Sequence, residues 1–184
     1  MFQGLIVAVT AVLVGLDQLT KWLAVMYLQN GESVTAIPRL FNFTYAENTG
    51  AAFGILKDHR WVFLTISTVT IIGMTLYLYL FRSEGRLYDV AIAMIISGGI
   101  GNMIDRLRLD YVVDFLYFSL INFPIFNVAD IYVTCATILL AGLLLFYYKE
   151  EDLKFLSIRP KKYREVKLQE AEEAVKRAIK EFKY

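Results

Sequence analysis

The sequence contains few of the residues that crosslink a small domain or bind metal ions. It has one cysteine and one histidine in 184 residues. One cysteine cannot form an internal disulfide, and a lone histidine beside it cannot complete a zinc site of His and Cys ligands. We expect neither a metal nor another cofactor. The formal net charge of +1 also gives no reason to expect nucleic acid as a partner.

Charged residues are also scarce along most of the chain. They make up 20% of all residues, hydrophobic residues make up 57%, and about half of the charges lie in residues 149–184. Long apolar stretches with charge at their ends are typical of membrane spans. The sequence predicts four of them, at about residues 4–28, 61–81, 87–104 and 131–148.

The distribution of basic residues predicts how these spans are oriented. The first span lacks the basic residues that open a signal peptide, so we interpret it as retained in the protein. Four spans place both termini on one side of the membrane. The loop 82–86 and the tail 149–184 are rich in Arg and Lys, and the positive-inside rule puts both in the cytoplasm. Residues 29–60 and 105–130 are then expected on the extracytoplasmic side.

Two further segments carry a secondary-structure signal. Residues 33–53 alternate in places, are rich in Thr, Phe and Tyr, and are interrupted by Pro38 and by Asn48–Gly50. This pattern favours a small extracytoplasmic β-structure. Between residues 164 and 182, apolar residues recur at helical spacing among Lys and Glu, which predicts an amphipathic helix. That helix either lies in solvent or on the membrane surface, or it docks a partner.

Together these segments define the expected fold class. We expect an all-α membrane protein with four transmembrane helices, a small extracytoplasmic β-structure and a C-terminal amphipathic helix. Residues 1–148 would form the membrane domain, and residues 149–184 would form a cytoplasmic tail.

Ionisable residues inside the predicted spans need a physical reason. A charge within the hydrocarbon costs about 2.5–3.5 kcal/mol on insertion scales. Asp17 and Lys21 lie four residues apart near the outer end of the first span, on one face of a helix. They form either a structural ion pair that reaches the interface or part of a functional site. Their spacing leaves both interpretations open.

More polar residues are predicted at the same depth. Asn102 and Asp105 are three residues apart at the end of the third span, and Asn127 and Asp130 are three apart at the start of the fourth. In the simplest interpretation, Asn127 is a helix N-cap and Asp130 is a first-turn acid. That interpretation does not account for Asp114, a carboxylate in a short apolar run, nor for several acids at one depth.

Asp114 and Asp130 are the candidates for an acid pair. The segment Asn122–Pro124 predicts a chain reversal that can bring the two carboxyls together. Two carboxyls at close range share a proton, so one can deprotonate a water while the other protonates a carbonyl oxygen. This predicts peptide hydrolysis without a metal.

Two other functions are compatible with a small membrane protein. One is a carrier whose intramembrane acids relay protons, which would spread its acids across the membrane. The other is a structural subunit that docks partners through its tail, which gives no reason for a cluster of acids. The expected placement of the acids near one face favours the hydrolase.

Five short blocks of sequence occur together along roughly residues 1–148. They are DQLTKW at 17–22, ENTGAAFGI at 47–55, GGIGNMIDR at 98–106, VVDF at 112–115 and FNVAD at 126–130. In this order and spacing they resemble signal peptidase II, the bacterial lipoprotein signal peptidase. The resemblance implies an aspartyl endopeptidase that removes the signal peptide of a diacylglyceryl-modified prolipoprotein. The cut would fall just before the lipid-modified cysteine.

The resemblance also implies a cellular setting. The protein would reside in the bacterial cytoplasmic (inner) membrane, with its active site at the extracytoplasmic face and both termini in the cytoplasm. Its partners would be the prolipoprotein and membrane lipid. A monomer would suffice, since one chain supplies every group of the site.

The matching blocks imply roles for individual residues. Asp114 and Asp130 would form the catalytic pair. Asn48 and Gly50 would help to hold the substrate backbone, and Arg106 would hydrogen-bond substrate carbonyls and brace the site.

The remaining matched residues would support that machinery. Asn102 and Asp105 would brace the site from the third span, and Asn127 would orient the neighbouring catalytic acid. Asp17 and Lys21 would support it from the first span.

Overall fold

The computed structural model describes residues 2–50, 59–80 and 86–147, and in the tail residues 169–170, 172–173 and 175–177. In chain order its helices and strands are α1 (Phe2–Leu28), β1 (Ser33–Ile37), β2 (Phe41–Asn48), α2 (Arg60–Leu80), α3 (Arg86–Leu109), β3 (Val112–Phe118) and α4 (Val128–Gly142). A π-helical stretch, Leu143–Tyr147, extends α4.

All four helices are long and apolar enough to cross a membrane. Most of the residues of α1, α2 and α4 are not buried inside the protein, and their exposed side chains include many Leu, Ile and Val residues. Exposed apolar surface of this extent is stable where the surrounding solvent is lipid. The prediction of four membrane spans is confirmed.

The central helix of the group is α3, which packs against each of the other three. Glycines make two of these contacts possible. A Cβ at Gly98 would clash with the backbone carbonyl of Ala129 on α4, and a Cβ at Gly101 would clash with the carboxylate of Asp17 on α1. Small residues therefore let α1 and α4 approach the same turn of α3.

The three strands form one antiparallel sheet in the order β1-β2-β3. The β-structure predicted for residues 33–53 is confirmed over β1 and β2, while residues 51–53 lie outside the described residues. β3 was not predicted as a strand. It pairs with β2 so that Ala46 lies opposite Asp114 and Asn48 lies opposite Val112.

The predicted chain reversal follows β3. A short 3-10 turn spans Ser119–Ile121, and Asn122 adopts a left-handed conformation with φ of 48°. The chain then returns, and Phe126 exchanges backbone hydrogen bonds of 2.8 and 3.0 Å with Leu116. The reversal is confirmed, and it brings the start of α4 beside β3.

A small core fixes the sheet to one end of α1. Its buried members are Ala24, Leu28, Val113, Phe115 and Leu116. Partly buried aromatic side chains surround it and extend the apolar contact between sheet and helix. The sheet and the polar ends of the helices are thereby held together.

The tail residues described are helical. Most of the amphipathic helix predicted for residues 164–182 lies outside the described residues, so its apolar face stays a prediction. The same holds for the division into a membrane domain and a separate tail.

Candidate active site

A cavity of about 580 Å³ lies where the sheet meets α2, α3 and α4. Its lining includes six residues that the sequence singled out, together with Thr134 and Cys135 from α4. The six are Asn48, Gly50, Asn102, Arg106, Asp114 and Asp130. Its apolar lining includes Phe63, Phe123, Phe126 and Ile131. The cavity thus joins a polar group of side chains to apolar surface on two of the spanning helices.

Two carboxyls enter this cavity from different elements. Asp114 projects from β3, and Asp130 lies in the first turn of α4. Asn127 bridges them, because its side-chain amide donates to Asp114 Oδ1 at 2.6 Å and its backbone N–H donates to Asp130 Oδ2 at 3.1 Å. The structure therefore brings together the two acids that the sequence placed 16 residues apart.

Asn127 is also the N-cap of α4. Its side-chain oxygen accepts from the backbone N–H of Asp130 at 3.0 Å, which completes a capping box. The simplest interpretation of these residues, a helix cap with a first-turn acid, is therefore correct. The same cap also fixes Asp130 relative to Asp114, so the structural and functional interpretations coincide.

Asn48 holds Asp114 from the other side. Its amide nitrogen donates to Asp114 Oδ2 at 2.9 Å, and its oxygen accepts from the backbone N–H of Gly50 at 3.0 Å. Both oxygens of Asp114 thus accept a hydrogen bond from a neutral amide. The pairing of β2 with β3 places the two residues within reach of each other.

Asp114 is 2% exposed, and burial raises its pKa to about 7. Burial disfavours the ionised form, and the negative charge of Asp130 raises the pKa further. The amides of Asn48 and Asn127 favour the ionised form but offset only part of this rise. Asp114 can therefore carry a proton near neutral pH, which an ordinary aspartate does not.

Asn102 connects the acid pair to a second polar group. Its amide nitrogen donates to Asp130 Oδ1 at 2.9 Å. Its oxygen accepts from Lys21 Nζ at 2.8 Å and from the amide of Asn127 at 3.1 Å. One side chain on α3 therefore orients an acid on α4 and is itself oriented by a lysine on α1.

The second polar group is an ion cluster made of Asp17, Lys21 and Asp105. Lys21 Nζ lies 2.9 Å from Asp17 and 3.1 Å from Asp105, and all three residues are buried. The predicted pairing of Asp17 with Lys21 is confirmed. Because Lys21 also binds Asn102, this ion pair reaches the candidate site as well as joining α1 to α3.

Each acid of the ion cluster also holds a neighbouring backbone segment. Asp17 Oδ1 accepts from the N–H of Ala129 at 2.9 Å, in the first turn of α4, where a negative charge is favoured by the helix dipole. Asp105 Oδ2 accepts from the N–H of Val113 at 3.1 Å, next to Asp114. The cluster therefore positions the backbone on both sides of the acid pair.

Gln18 was missed by the sequence interpretation. Its amide nitrogen lies 3.0 Å from Asp105 Oδ1 and 3.2 Å from the carbonyl oxygen of Gly101, so it joins α1 to α3 beside the ion cluster. A polar amide next to Asp17 in a predicted span was the signal that could have found it.

Arg106 lines the cavity close to both acids. Its guanidinium donates to the carbonyl oxygen of Gly50 at 3.3 Å and to that of Asn102 at 3.4 Å. Its central carbon lies 4.8 Å from the centre of the Phe63 ring. Phe63, on α2, was also missed, because a phenylalanine in an apolar helix carries no distinguishing signal.

The comparison with known proteins covers nearly all of this architecture. A family model described as signal peptidase (SPase) II matches residues 9–146. The lipoprotein signal peptidase of Clostridium tetani (strain Massachusetts / E88) is 43% identical over 148 residues, which cover 77% of this chain and 93% of that protein. The lipoprotein signal peptidase of Streptococcus pyogenes serotype M1 is 44% identical over 153 residues, which cover 83% of this chain and 98% of that protein.

A solved structure shares the fold. It is a bacterial membrane enzyme determined by the in meso method at 2.3 Å resolution. Its TM-score is 0.72 at 32% sequence identity, and the match covers 80% of this chain and 93% of that one. The matched family region includes most of α1, all of α2, α3 and α4, the sheet and every residue of the cavity lining. The chain is therefore a membrane-embedded peptidase that belongs to the signal peptidase II family.

Proposed function

We propose that this peptidase removes the signal peptide of bacterial prolipoproteins, cutting before a cysteine that carries diacylglycerol. The names of its relatives give the substrate class. The observation that carries the chemistry is the bridge between Asp114 and Asp130 through Asn127, in a cavity at one end of the spanning helices.

In the proposed mechanism the two carboxyls act as acid and base on a water. Asp114, whose pKa is raised to about 7, holds the shared proton. Asp130 removes a proton from a water as the water oxygen bonds to the carbonyl carbon of the substrate. Asp114 gives its proton to the carbonyl oxygen, which leaves a neutral tetrahedral intermediate.

The second half of the reaction returns both protons. Asp130 donates its new proton to the peptide nitrogen as the C–N bond breaks. Asp114 takes a proton back from a hydroxyl of the intermediate, which becomes the carboxyl end of the released signal peptide. No step requires a metal or a covalent bond to the enzyme.

Neutral amide groups hold the two carboxyls in fixed positions. Asn102 and Asn127 occupy both oxygens of Asp130, while Asn48 and Asn127 occupy both oxygens of Asp114. Fixed donors of this kind orient the acids before the substrate arrives, so little reorganisation is needed during the reaction. The ion cluster of Asp17, Lys21 and Asp105 supports this arrangement through its hydrogen bonds to Asn102 and to the backbone next to each acid.

The substrate backbone would lie along the wall formed by Asn48, Gly50 and Arg106. Arg106 has five N–H donors, more than the two that bond to Gly50 and Asn102 within the described residues, so it can hydrogen-bond a substrate carbonyl. The apolar lining, which includes Phe63 and Ile131, suits the acyl chains or the signal peptide.

The membrane setting follows from the same substrate. A lipid-anchored cysteine holds the scissile bond near the headgroups, and the acid pair lies at the ends of the spans, beside the sheet. The basic residues of the loop 82–86 and of the tail favour a cytoplasmic position for both termini and an extracytoplasmic site in the bacterial inner membrane. One chain supplies every proposed group, so a monomer suffices.

A proton-relay carrier is less well supported. A relay needs ionisable groups distributed through the membrane. Here, instead, one hydrogen-bonded network at the sheet-covered end of the helices contains four buried or half-buried acids. They are Asp17, Asp105, Asp114 and Asp130.

The test is a cleavage assay with the purified full chain in detergent. A precursor carrying a diacylglyceryl-modified cysteine is incubated with the protein, and the products are identified by mass spectrometry. We expect two products, one of which begins with the modified cysteine. A precursor that stays intact, or one that is cut elsewhere, would contradict the proposed substrate class.

A further inference from the structure

We propose that Phe63 is a positioning residue, whose ring holds the guanidinium of Arg106 in the orientation that receives the substrate backbone. The inference rests on the proposed function, in which Arg106 hydrogen-bonds a substrate carbonyl. It adds α2 to the elements that build the site, although none of the sequence blocks lies on this helix.

The hydrogen bonds of Arg106 do not by themselves fix its side chain. Its two contacts with carbonyl oxygens, at 3.3 and 3.4 Å, are long compared with the roughly 2.7–2.9 Å typical of strong bonds from a charged donor. The guanidinium carbon of Arg106 lies over the Phe63 ring, 4.8 Å from the ring centre. That distance is well within the range of about 6 Å for a cation–π interaction.

The surroundings strengthen this contact. Arg106 is 9% exposed, so water competes little with the ring for its charge. A cation–π interaction is worth more when the cation is desolvated. A guanidinium carries five N–H donors, more than the two that bond to the carbonyls of Gly50 and Asn102, and a cation–π contact uses none of them.

The position of Phe63 is set by the packing of α2 against the end of α3. Arg60, three residues before Phe63 and on the same helix face, forms an ion pair with Asp110. Asp110 lies four residues after Arg106, just beyond α3. This pair is largely exposed and contributes little stability by itself. Together with the contact between Phe63 and Arg106 it shows that the first turn of α2 lies beside the last turn of α3, which places the ring over the guanidinium.

A role in packing alone predicts a different response to substitution. Packing needs apolar volume, which leucine or methionine supplies nearly as well as phenylalanine. Positioning of a cation needs the π face, which tyrosine retains and leucine and methionine lack. The two roles can therefore be separated with variants at this one position.

The experiment measures KM and kcat for the diacylglyceryl-modified precursor with the full chain and its variants. Phe63→Leu and Phe63→Met should each raise KM about tenfold with kcat changed by less than about twofold, because a lost binding contact weakens ground state and transition state alike. Phe63→Tyr should stay within about twofold of the unmodified protein in both constants. Leu64→Ala is the matched control, since Leu64 is the buried neighbour on α2 and does not line the cavity; its KM should match that of the unmodified protein.

A double-mutant cycle adds a second readout. Arg106→Lys should raise KM much less in the Phe63→Leu protein than in the protein with Phe63. In Phe63→Leu the guanidinium of Arg106 has already lost the aromatic ring that positions it. Additive effects of the two substitutions, or equal KM values for Phe63→Leu and Phe63→Tyr, would overturn the inference. If the unmodified protein cleaves the precursor and Phe63→Leu cleaves it equally well, this inference alone fails. If the unmodified protein leaves the precursor intact, the proposed function fails and the inference with it.

Discussion

Two groups of acids lie in the same network, and their charges are satisfied in different ways. In the ion cluster, Asp17 and Asp105 share the ammonium group of Lys21 at 2.9 and 3.1 Å. In the acid pair, Asp114 and Asp130 are held by amides and a backbone N–H. Within the described part of the chain, neither member of the acid pair forms an ion pair.

This difference is the basis for proposing a structural role for the ion cluster and a chemical role for the acid pair. An acid that contacts a lysine in a buried site has a counter-charge beside it and serves as a fixed brace. An acid that is held by neutral donors beside another acid keeps an affinity for a proton near neutral pH, as the raised pKa of Asp114 shows. Asn102 joins the ion cluster to the acid pair, because it accepts a hydrogen bond from Lys21 and donates one to Asp130.

The largest expected effect is on catalysis by the acid pair. Asp114→Asn and Asp130→Asn each remove a proton-transfer group while keeping its shape, so kcat should fall by about 10³-fold or more. The thermal unfolding midpoint should change little. Asp105→Asn is the matched control in the ion cluster, and it should reduce kcat far less. Turnover retained in either acid-pair variant would break the comparison.

The next effect is on stability and comes from the ion cluster. Lys21→Met leaves Asp17 and Asp105 buried together without a counter-charge. We expect a loss of about 3–5 kcal/mol in the free energy of unfolding, measured by denaturant titration in detergent. The kcat of the fraction that stays folded should fall less than in the acid-pair variants. A stable Lys21→Met protein with no activity would instead place the lysine in the chemistry.

A smaller effect is expected on the pH profile. In the proposed mechanism Asp114 holds a proton when the reaction begins, and burial raises its pKa to about 7 in the free protein. The value of kcat/KM should therefore fall about tenfold per pH unit above this pH. Asn48→Ala removes a hydrogen bond that favours the ionised form, so this alkaline limb should move to higher pH. A limb that moves to lower pH would contradict the assigned role of Asn48.

The smallest effect is expected from chelation. The proposed acid pair activates water without a metal, so EDTA should leave the rate of cleavage unchanged. The matched sample receives EDTA already saturated with calcium. Activity that is lost in EDTA and returns on addition of zinc would contradict the mechanism.

The sequence predicted the parts of the fold that depend on local pattern. Apolar runs identified the four spans, because insertion into lipid depends on the composition of each segment by itself. Alternation identified β1 and β2. β3 was missed, because its residues 112–116 are all buried and show no alternation. Its pairing with β2 joins residues far apart in sequence, such as Asn48 and Val112, which are 64 positions apart.

In the candidate site, too, some residues could be found from a local sequence pattern and others could not. Asp114 and Asp130 could be found because a carboxylate in an apolar run needs a reason. Gln18 carried a signal, a polar amide inside a predicted span, that was overlooked. Phe63 could not be assigned a role, because its contact with Arg106 forms only when α2 packs against α3. Residues of ordinary type for their element become visible only through tertiary contacts.

In the proposed mechanism, Asp114 and Asp130 together activate a water that attacks the substrate directly. A single-turnover cleavage in ¹⁸O-labelled water, with excess protein over precursor, tests it most directly by mass spectrometry of the released signal peptide. Direct attack predicts that the new carboxyl group carries ¹⁸O in the first turnover. A first-turnover product with two unlabelled oxygens would mean that an enzyme carboxylate had supplied the oxygen through a covalent intermediate, and would contradict the account.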